Sequence, residues 1–109
     1  MIVDAAAVKN IKPLFAEDST LFDSVKAWKE GEVYLQLAFN AYYTNYELAL
    51  ANTWFLAKVV YPQLFEDIDM TAKLNEITEA FLGQPLAEKI FSYPTSNGAY
   101  GKIGSEFFK

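Results

Sequence analysis

The chain of 109 residues contains no cysteine and no histidine. Zinc fingers, iron–sulfur centres and thiol nucleophiles depend on these residues, so these classes are excluded. Catalytic triads that use imidazole as the base are excluded as well. Histidine is also the commonest acid–base side chain near neutral pH, so its absence removes the usual general acid or base of an enzyme. We expect a protein that is not an enzyme, with no catalytic residues, no metal ligands and no cofactor. The lack of cysteine fits oxidising and reducing compartments alike.

Basic residues and long apolar runs are also scarce. The nine basic residues are scattered along the chain, and the net charge is −5. Nucleic-acid surfaces cluster Lys and Arg against phosphates, so we expect no nucleic-acid partner. The longest apolar run is broken at Lys58 and falls short of the roughly 20 residues that a membrane span needs. The start, Met1–Asp4, lacks the basic residues and sustained apolar stretch of a signal peptide, so we expect none in this chain.

What the chain has in abundance is apolar side chains, which make up 52 % of the residues, with aromatic residues at 17 %. This content excludes a disordered chain and predicts a dense core, and the length suits one domain. Alternating apolar residues at Val33, Leu35 and Leu37 follow Gly31. This period of two predicts a strand with one well-buried face.

A nearly uninterrupted apolar stretch from Tyr46 to Val60 predicts a helix of about four turns. Thr44 and Glu47 have the spacing of a capping box, in which the hydroxyl and the carboxylate each bond to the other residue's backbone. Because this helix is apolar on almost every side, we expect it to lie at the centre of the fold. The remaining segments are then expected to pack against it as layers.

Shorter elements flank this strand and helix. We predict a strand end at Ile2–Asp4, one or two helical turns at 5–14, a helix at about 19–30 capped by Asp18-Ser19, a helix from the cap Asp69 to the stop Gly83, and a short helix at 86–91. A strand, a helical crossover and a second strand form a parallel βαβ unit. The predicted fold is α/β and helix-rich, a partial lobe whose short parallel sheet of about two strands is packed by the long central helix and flanking helices. Residues 1–91 make up this lobe, and residues 92–109 form an irregular tail.

Three stretches carry a resemblance to a known family: GEVYLQLAFNAYYTN at 31–45, NYELALANTWFLAKVVYPQLFEDIDM at 45–70 and ITEAFLGQP at 77–85. In this order they are similar to the C-terminal lobe of the periplasmic-binding-protein-2 family, the class III, helical-backbone substrate-binding proteins of ABC transporters. Members often show a strand of the type G-x-V-Y, a helix ending near A-K-x-x-Y-P, then F-x-D-I-D and F-L-G. A complete member has two lobes around a cleft, so the chain resembles one piece of such a protein.

The resemblance implies a solute receptor of an ABC importer for a ferric siderophore, haem, cobalamin or related metal complex. The metal chelate would be a transported ligand and not a cofactor. The second partner would be the ABC permease, which family members contact through acidic surface residues; Glu17, Glu30 and Glu32 are candidates here. The resemblance also implies an extracytoplasmic location for the parent protein, either periplasmic or attached to the cell surface.

The loop between the predicted strand and the long helix is the candidate ligand-binding site. In open α/β sheets, ligands bind beyond the carboxyl ends of strands, where the next helix begins. Tyrosine rings would wall a chelate, and phenolate oxygens suit ferric iron. In the alternative interpretation, the polar residues only cap the helix and the tyrosines fill packing gaps. The candidate ligand-binding residues are Phe39, Asn40, Tyr42, Tyr43, Thr44 and Asn45.

Other residues that draw notice have simpler structural explanations. Asp4 follows the first strand and would line the same rim, but a helix cap explains it better. Asp67 and Asp69 are too few ligands for a calcium site, so capping and solvation account for them. Trp28 and Trp54 lie on apolar stripes and are expected in the core.

Two other functions stay open. The chain would alternatively be a self-standing protein-interaction domain that binds through its aromatic loop. An enzyme that uses carboxylates alone is the third hypothesis, although no two carboxylates are placed convincingly on facing strand ends. A two-stranded sheet also leaves two exposed edges. We therefore expect the isolated chain either to form a homodimer or to cover these edges with its tail.

Overall fold

The computed structural model describes residues 1–40 and 44–108. Three short strands form one mixed sheet in the order β1 (Ile2–Asp4), β2 (Val33–Gln36) and β3 (Gly101–Ile103). β1 and β2 are parallel, with Val3 opposite Leu35, and β3 is antiparallel to β2, with Gly101 also opposite Leu35. The helix-rich α/β class is confirmed, and the sheet has one strand more than predicted.

Helices account for most of the remaining chain. They are α1 (Val8–Glu17), α2 (Lys26–Lys29), α3 (Tyr46–Val60), α4 (Met70–Leu82) and α5 (Ala87–Ser92), with 3-10 turns at Ala5–Ala7, Pro94–Ser96 and Ser105–Phe108. α1 and α2 lie in the connection between the two parallel strands, which confirms the parallel βαβ unit. α1 is longer than the one or two turns expected, because the helix continues through Pro13 to Glu17.

The core is built on one face of β2. Val33, Leu35 and Leu37 are buried, as their alternation predicts. They pack in one cluster with Val3 of β1 and with buried side chains of the helices and the tail, among them Val8, Phe15, Leu74, Ile77, Ala87 and Phe108. α4 follows its predicted bounds: the Asp69 side chain caps its start, and Gly83, with φ of +79°, ends it in the left-handed conformation.

The prediction that α3 lies at the centre of the fold is wrong. Only three of its residues, Ala51, Asn52 and Phe55, are buried. On this side of the helix, Phe55 packs against Tyr34 of β2 and the helix contacts α4, while Leu50 and Leu56 on the other side are exposed. The physical reason is the small size of the sheet: three short strands and their helices provide one layer for α3 to pack against and none on its far side.

Two local predictions in the first half of the chain are also wrong. The capping box does not form, because the N-cap residue of α3 is Asn45 and not Thr44. The Thr44 hydroxyl lies 3.4 Å from Oδ1 of Asn40 instead. The predicted helix at 19–30 exists only at Lys26–Lys29. The Asp18 carboxylate accepts hydrogen bonds from the backbone N–H and the hydroxyl of Thr20, which holds a turn in place of a helix start.

The segment predicted to be an irregular tail contains the third strand. Ala99 and Phe108 are buried in the common core, and the Phe108 ring packs against those of Phe15 and Trp28. β3 covers the edge of β2 that a two-stranded sheet would leave open, one of the two outcomes expected. The division of the chain into two parts at residue 91 stays a prediction.

Candidate functional site

The parallel strands β1 and β2 end on the same rim of the sheet, since Asp4 lies opposite Gln36. Beyond these ends the backbone continues as the turn Ala5–Ala7 and as Leu37–Ala38. Two depressions open there, one of about 250 Å³ beside the end of β1 and one of about 230 Å³ beside the end of β2. Thr95 lines both, so we treat them together as the strand-end rim.

Part of this rim is made by the tail, which the sequence interpretation left without a role. The Asn97 side chain donates a hydrogen bond of 3.0 Å to the carbonyl of Ala5, directly after β1. Asn97 has φ of +51°, and the buried Ser96 hydroxyl lies 2.9 Å from the carbonyl of Phe91. The Asn-Gly pair at 97–98 is a sequence signal for such a left-handed turn. This pair predicts the turn but does not predict which part of the fold the turn contacts.

The predicted ligand-binding loop leaves the same rim. Its two ends are held together, because Asn40 and Thr44 form an antiparallel bridge and the backbone N–H of Asn45 donates to the carbonyl of Phe39 at 2.7 Å. Asn40 and Thr44 are exposed, while Phe39 and Asn45 are half-buried. The other two candidates, Tyr42 and Tyr43, lie outside the described residues, so their role stays a prediction.

The acidic residues behave as helix caps. Oδ1 of Asp4 accepts from the backbone N–H of Ala6 at 2.8 Å, and Oδ1 of Asp69 accepts from that of Thr71 at 2.8 Å. Capping was the favoured interpretation of both. Within residues 1–40 and 44–108, no group of three or more acidic residues is arranged to hold a metal ion.

A buried chain of hydrogen bonds ties the end of β2 to α3 and to the tail. The Asn52 amide donates to the carbonyl of Leu37 at 2.8 Å, and its oxygen accepts from the Tyr100 hydroxyl at 2.7 Å. Burial raises the pKa of Tyr100 well above its ordinary value, so this phenol stays protonated and acts as a donor. This arrangement holds the backbone at the start of the candidate loop in place.

A larger depression, of about 500 Å³, lies outside the predicted site, between the C-terminal half of α3 and the start of α4. Its aromatic walls include Phe55 and Tyr100, whose ring centroids are 4.7 Å apart. Its lining also includes the positively charged Lys58 and the negatively charged Asp69. Both polar groups have structural partners, since the Lys58 ammonium donates to the carbonyl of Ile68 and Asp69 caps α4. This depression was missed because its lining comes from four separate segments.

The acidic surface residues proposed to contact a permease differ in their surroundings. Glu32 accepts from the Tyr34 hydroxyl at 2.6 Å and from the Lys102 ammonium at 2.9 Å. These two hydrogen bonds, the first above all, lower the pKa of Glu32 below its ordinary value. Glu30 lies 3.8 Å from Lys26 on an exposed surface. Contact of any of them with a permease stays a prediction.

No model of a protein family matches the chain, and no curated protein matches it. Among the helices of the described residues, none combines the length and apolar character needed to cross a membrane.

Proposed function

We propose that the chain is a ligand-binding lobe of a solute receptor that serves an ABC importer of metal complexes. In this proposal the protein binds and does not catalyse, and it works outside the cytoplasm together with a permease. The observation that carries the proposal is the strand-end rim: two parallel strands, the two described ends of the candidate loop, and an anchored tail segment meet at one edge of the sheet. Ligands of open α/β sheets bind at such edges.

The size of the rim supports a lobe that forms one wall of a larger site. Its two depressions have volumes of about 250 and 230 Å³. Pockets that enclose a small ligand on their own have volumes of roughly 300–1,000 Å³. A ferric siderophore, haem or cobalamin would therefore rest against this rim and be covered from the other side. The ligand class itself comes from the sequence resemblance.

Ligand binding can be tested with a ferric trihydroxamate complex, haemin and cyanocobalamin as probes. Quenching of the fluorescence of Trp28 and Trp54 reports binding. We expect saturable quenching by at least one probe, with a Kd below about 1 mM. Thr95→Phe fills the wall shared by both depressions and should weaken binding at least about tenfold. Ala80→Phe, on the exposed side of α4, is the matched control and should leave the affinity unchanged.

The loop tyrosines are tested by the double replacement of Tyr42 and Tyr43 with Phe. If their phenol oxygens contact the ligand, the affinity for the ferric probe falls while the protein stays folded. Unchanged affinity would show that these hydroxyls do not contact the ligand. Absence of saturable quenching with all three probes, in a chain whose circular dichroism shows native helix content, would contradict the metal-complex proposal as a whole.

A second candidate function is a protein-interaction domain. The observation that favours it is the exposed apolar side of α3, which carries Tyr46, Leu50 and Leu56. Large exposed apolar patches on folded proteins mark interaction sites. This function predicts that replacing Leu50 and Leu56 by charged residues abolishes an association without affecting the three ligand probes.

A further inference from the structure

α3 differs from an ordinary surface helix, because its exposed side is largely apolar as well. Its exposed residues are Tyr46, Leu50, Thr53, Leu56 and Val60, and we call these five the α3 stripe. The amide of Asn52 is buried and Lys58 is half-buried on the opposite side. Within Tyr46–Val60, every residue of which is described, the exposed side carries no charge. A surface helix normally presents its charged residues to water and its apolar residues to the core.

The exposure of the stripe is large. The exposed fractions are 76 % for Tyr46, 39 % for Leu50, 45 % for Leu56 and 54 % for Val60, and Tyr61 and Leu64 just beyond the helix reach 59 % and 74 %. With side-chain surfaces of roughly 150–200 Å², these six residues expose about 600 Å². A standard protein interface buries about 800 Å² on each partner. The stripe with its immediate neighbours therefore falls at the lower end of the range for stable interfaces, which is about 600 Å² on each partner.

The spacing of the stripe is symmetric about its middle residue. Thr53 is the centre, Leu50 and Leu56 lie three residues to either side, and Tyr46 and Val60 lie seven residues to either side. A twofold axis through Thr53 would place an identical helix antiparallel to α3. Leu50 would then face Leu56 of the second copy, and the small Thr53 would stand where the two helices come closest. Contact between identical surfaces requires this self-complementary pattern.

The ends of the stripe also complement each other. The same axis brings Tyr46 of one copy next to Val60 of the other. Val60 lines a depression of about 340 Å³ that is formed with Tyr61, Pro62, Gln63 and Leu64. Tyr46 is the most exposed apolar residue of α3, and a large aromatic side chain entering a depression is a common energetic centre of interfaces.

From this pattern we propose that the α3 stripe binds a second copy of the chain, as an antiparallel, twofold-symmetric helix pair centred on Thr53. The lack of charge on the stripe favours this occupant over a basic or acidic partner, since nothing on it would select an opposite charge. The pair uses none of the residues of the strand-end rim, so dimer formation and ligand binding are separate properties.

Light scattering coupled to size exclusion tests the dimer over a range of protein concentrations. We expect twice the chain mass at high concentration and dissociation on dilution. Leu50→Glu and Leu56→Lys should each give a monomer, because each places two charges in the apolar interface of a symmetric pair. Leu14→Glu is the matched control, since Leu14 is 50 % exposed on α1, away from the stripe, and should leave the dimer intact.

The register is tested by mixing the two charged variants. Residue 50 of one copy faces residue 56 of the other, so the Leu50→Glu and Leu56→Lys chains should form a mixed dimer through one Glu–Lys pair and one Leu–Leu pair. A parallel pair would not bring these positions together. Failure of the mixture to associate, with both variants folded by circular dichroism, would overturn the proposed geometry.

Cross-linking gives an independent test, because the chain has no cysteine of its own. Thr53→Cys places a single thiol on the proposed axis and should give a covalent dimer with oxidant or a short bis-maleimide. Ala80→Cys, exposed on α4, should not. Equal yields for the two variants, or a wild-type mass of one chain at every concentration, would refute the dimer. Cross-linking only to a different protein in a mixture would assign the stripe to another partner and equally refute it.

Discussion

Replacing Asn52 by leucine is the sharpest test of the fold. The side chain is 6 % exposed and makes two hydrogen bonds, to the carbonyl of Leu37 and from the hydroxyl of Tyr100. Leucine has a similar shape and cannot make either bond. A buried polar group that loses its partner costs about 1–3 kcal/mol, and leucine recovers part of this by burying apolar surface. We expect Asn52→Leu to lower the free energy of unfolding by about 2–3 kcal/mol.

Urea unfolding followed by far-UV circular dichroism, at one protein concentration, measures this change. The dependence of the unfolding free energy on urea should stay the same, since the replacement changes stability and not the surface exposed on unfolding. Tyr100→Phe removes only the second bond and should cost about 1–2 kcal/mol. Because the two residues share that bond, the double variant should be less destabilised than the sum of the single variants by about 1 kcal/mol.

Ser92 supplies the control. Its exposed hydroxyl bonds to the carbonyl of Lys89, three residues earlier in α5, at 2.6 Å. Ser92→Ala should therefore change the unfolding free energy by less than about 0.5 kcal/mol. The reasoning would be refuted if Asn52→Leu were as mild as this control, or if Asn52→Leu and Tyr100→Phe were fully additive.

Three further predictions concern local features. Asp69→Ala should cost about 1 kcal/mol because it removes the cap of α4, whereas Asp69→Asn, which keeps a capping oxygen, should cost clearly less in the same urea assay; equal losses would contradict capping. Gly83→Ala should cost about 1 kcal/mol because φ is +79° there, although a Cβ meets no atom within 4 Å; a stability gain would show that the helix ends differently. Glu32 should titrate by NMR below its ordinary pKa of 4.5, so the stability that this carboxylate contributes is present above 4.5 and is lost as the pH falls through its folded-state pKa. Combining Tyr34→Phe with Lys102→Met should raise that pKa towards 4.5, and an unchanged titration would refute the assigned cause.

Much of the secondary structure follows from local sequence patterns. The alternation at Val33, Leu35 and Leu37 is a local signal: Val33 and Leu35 are the buried face of β2, and Leu37, just beyond its end, is buried as well. The bounds of α4 follow from Asp69, which can cap a helix, and Gly83, which can adopt a positive φ. Such features depend on neighbouring residues alone, so they can be recognised without knowing the rest of the fold.

The interpretation of α3 shows the limit of composition. An apolar stretch from Tyr46 to Val60 predicts a helix, and the helix has these bounds. The same stretch does not tell how many of its sides will find neighbours, because that depends on the number of layers in the finished fold. Here the small sheet leaves the side that carries Leu50 and Leu56 in water, and the buried amide of Asn52 occupies the side that packs.

The sequence by itself determined the helix-rich α/β class, the main elements and the rim where β1 and β2 end. Tertiary structure alone decided that the tail returns to that rim. Asn97 bonds to the carbonyl of Ala5 across a separation of 92 residues, and β3 pairs with β2 across about 70 residues. Contacts between segments so far apart leave no pattern in either segment, since each one satisfies its backbone hydrogen bonds with whichever partner the packed core brings alongside it.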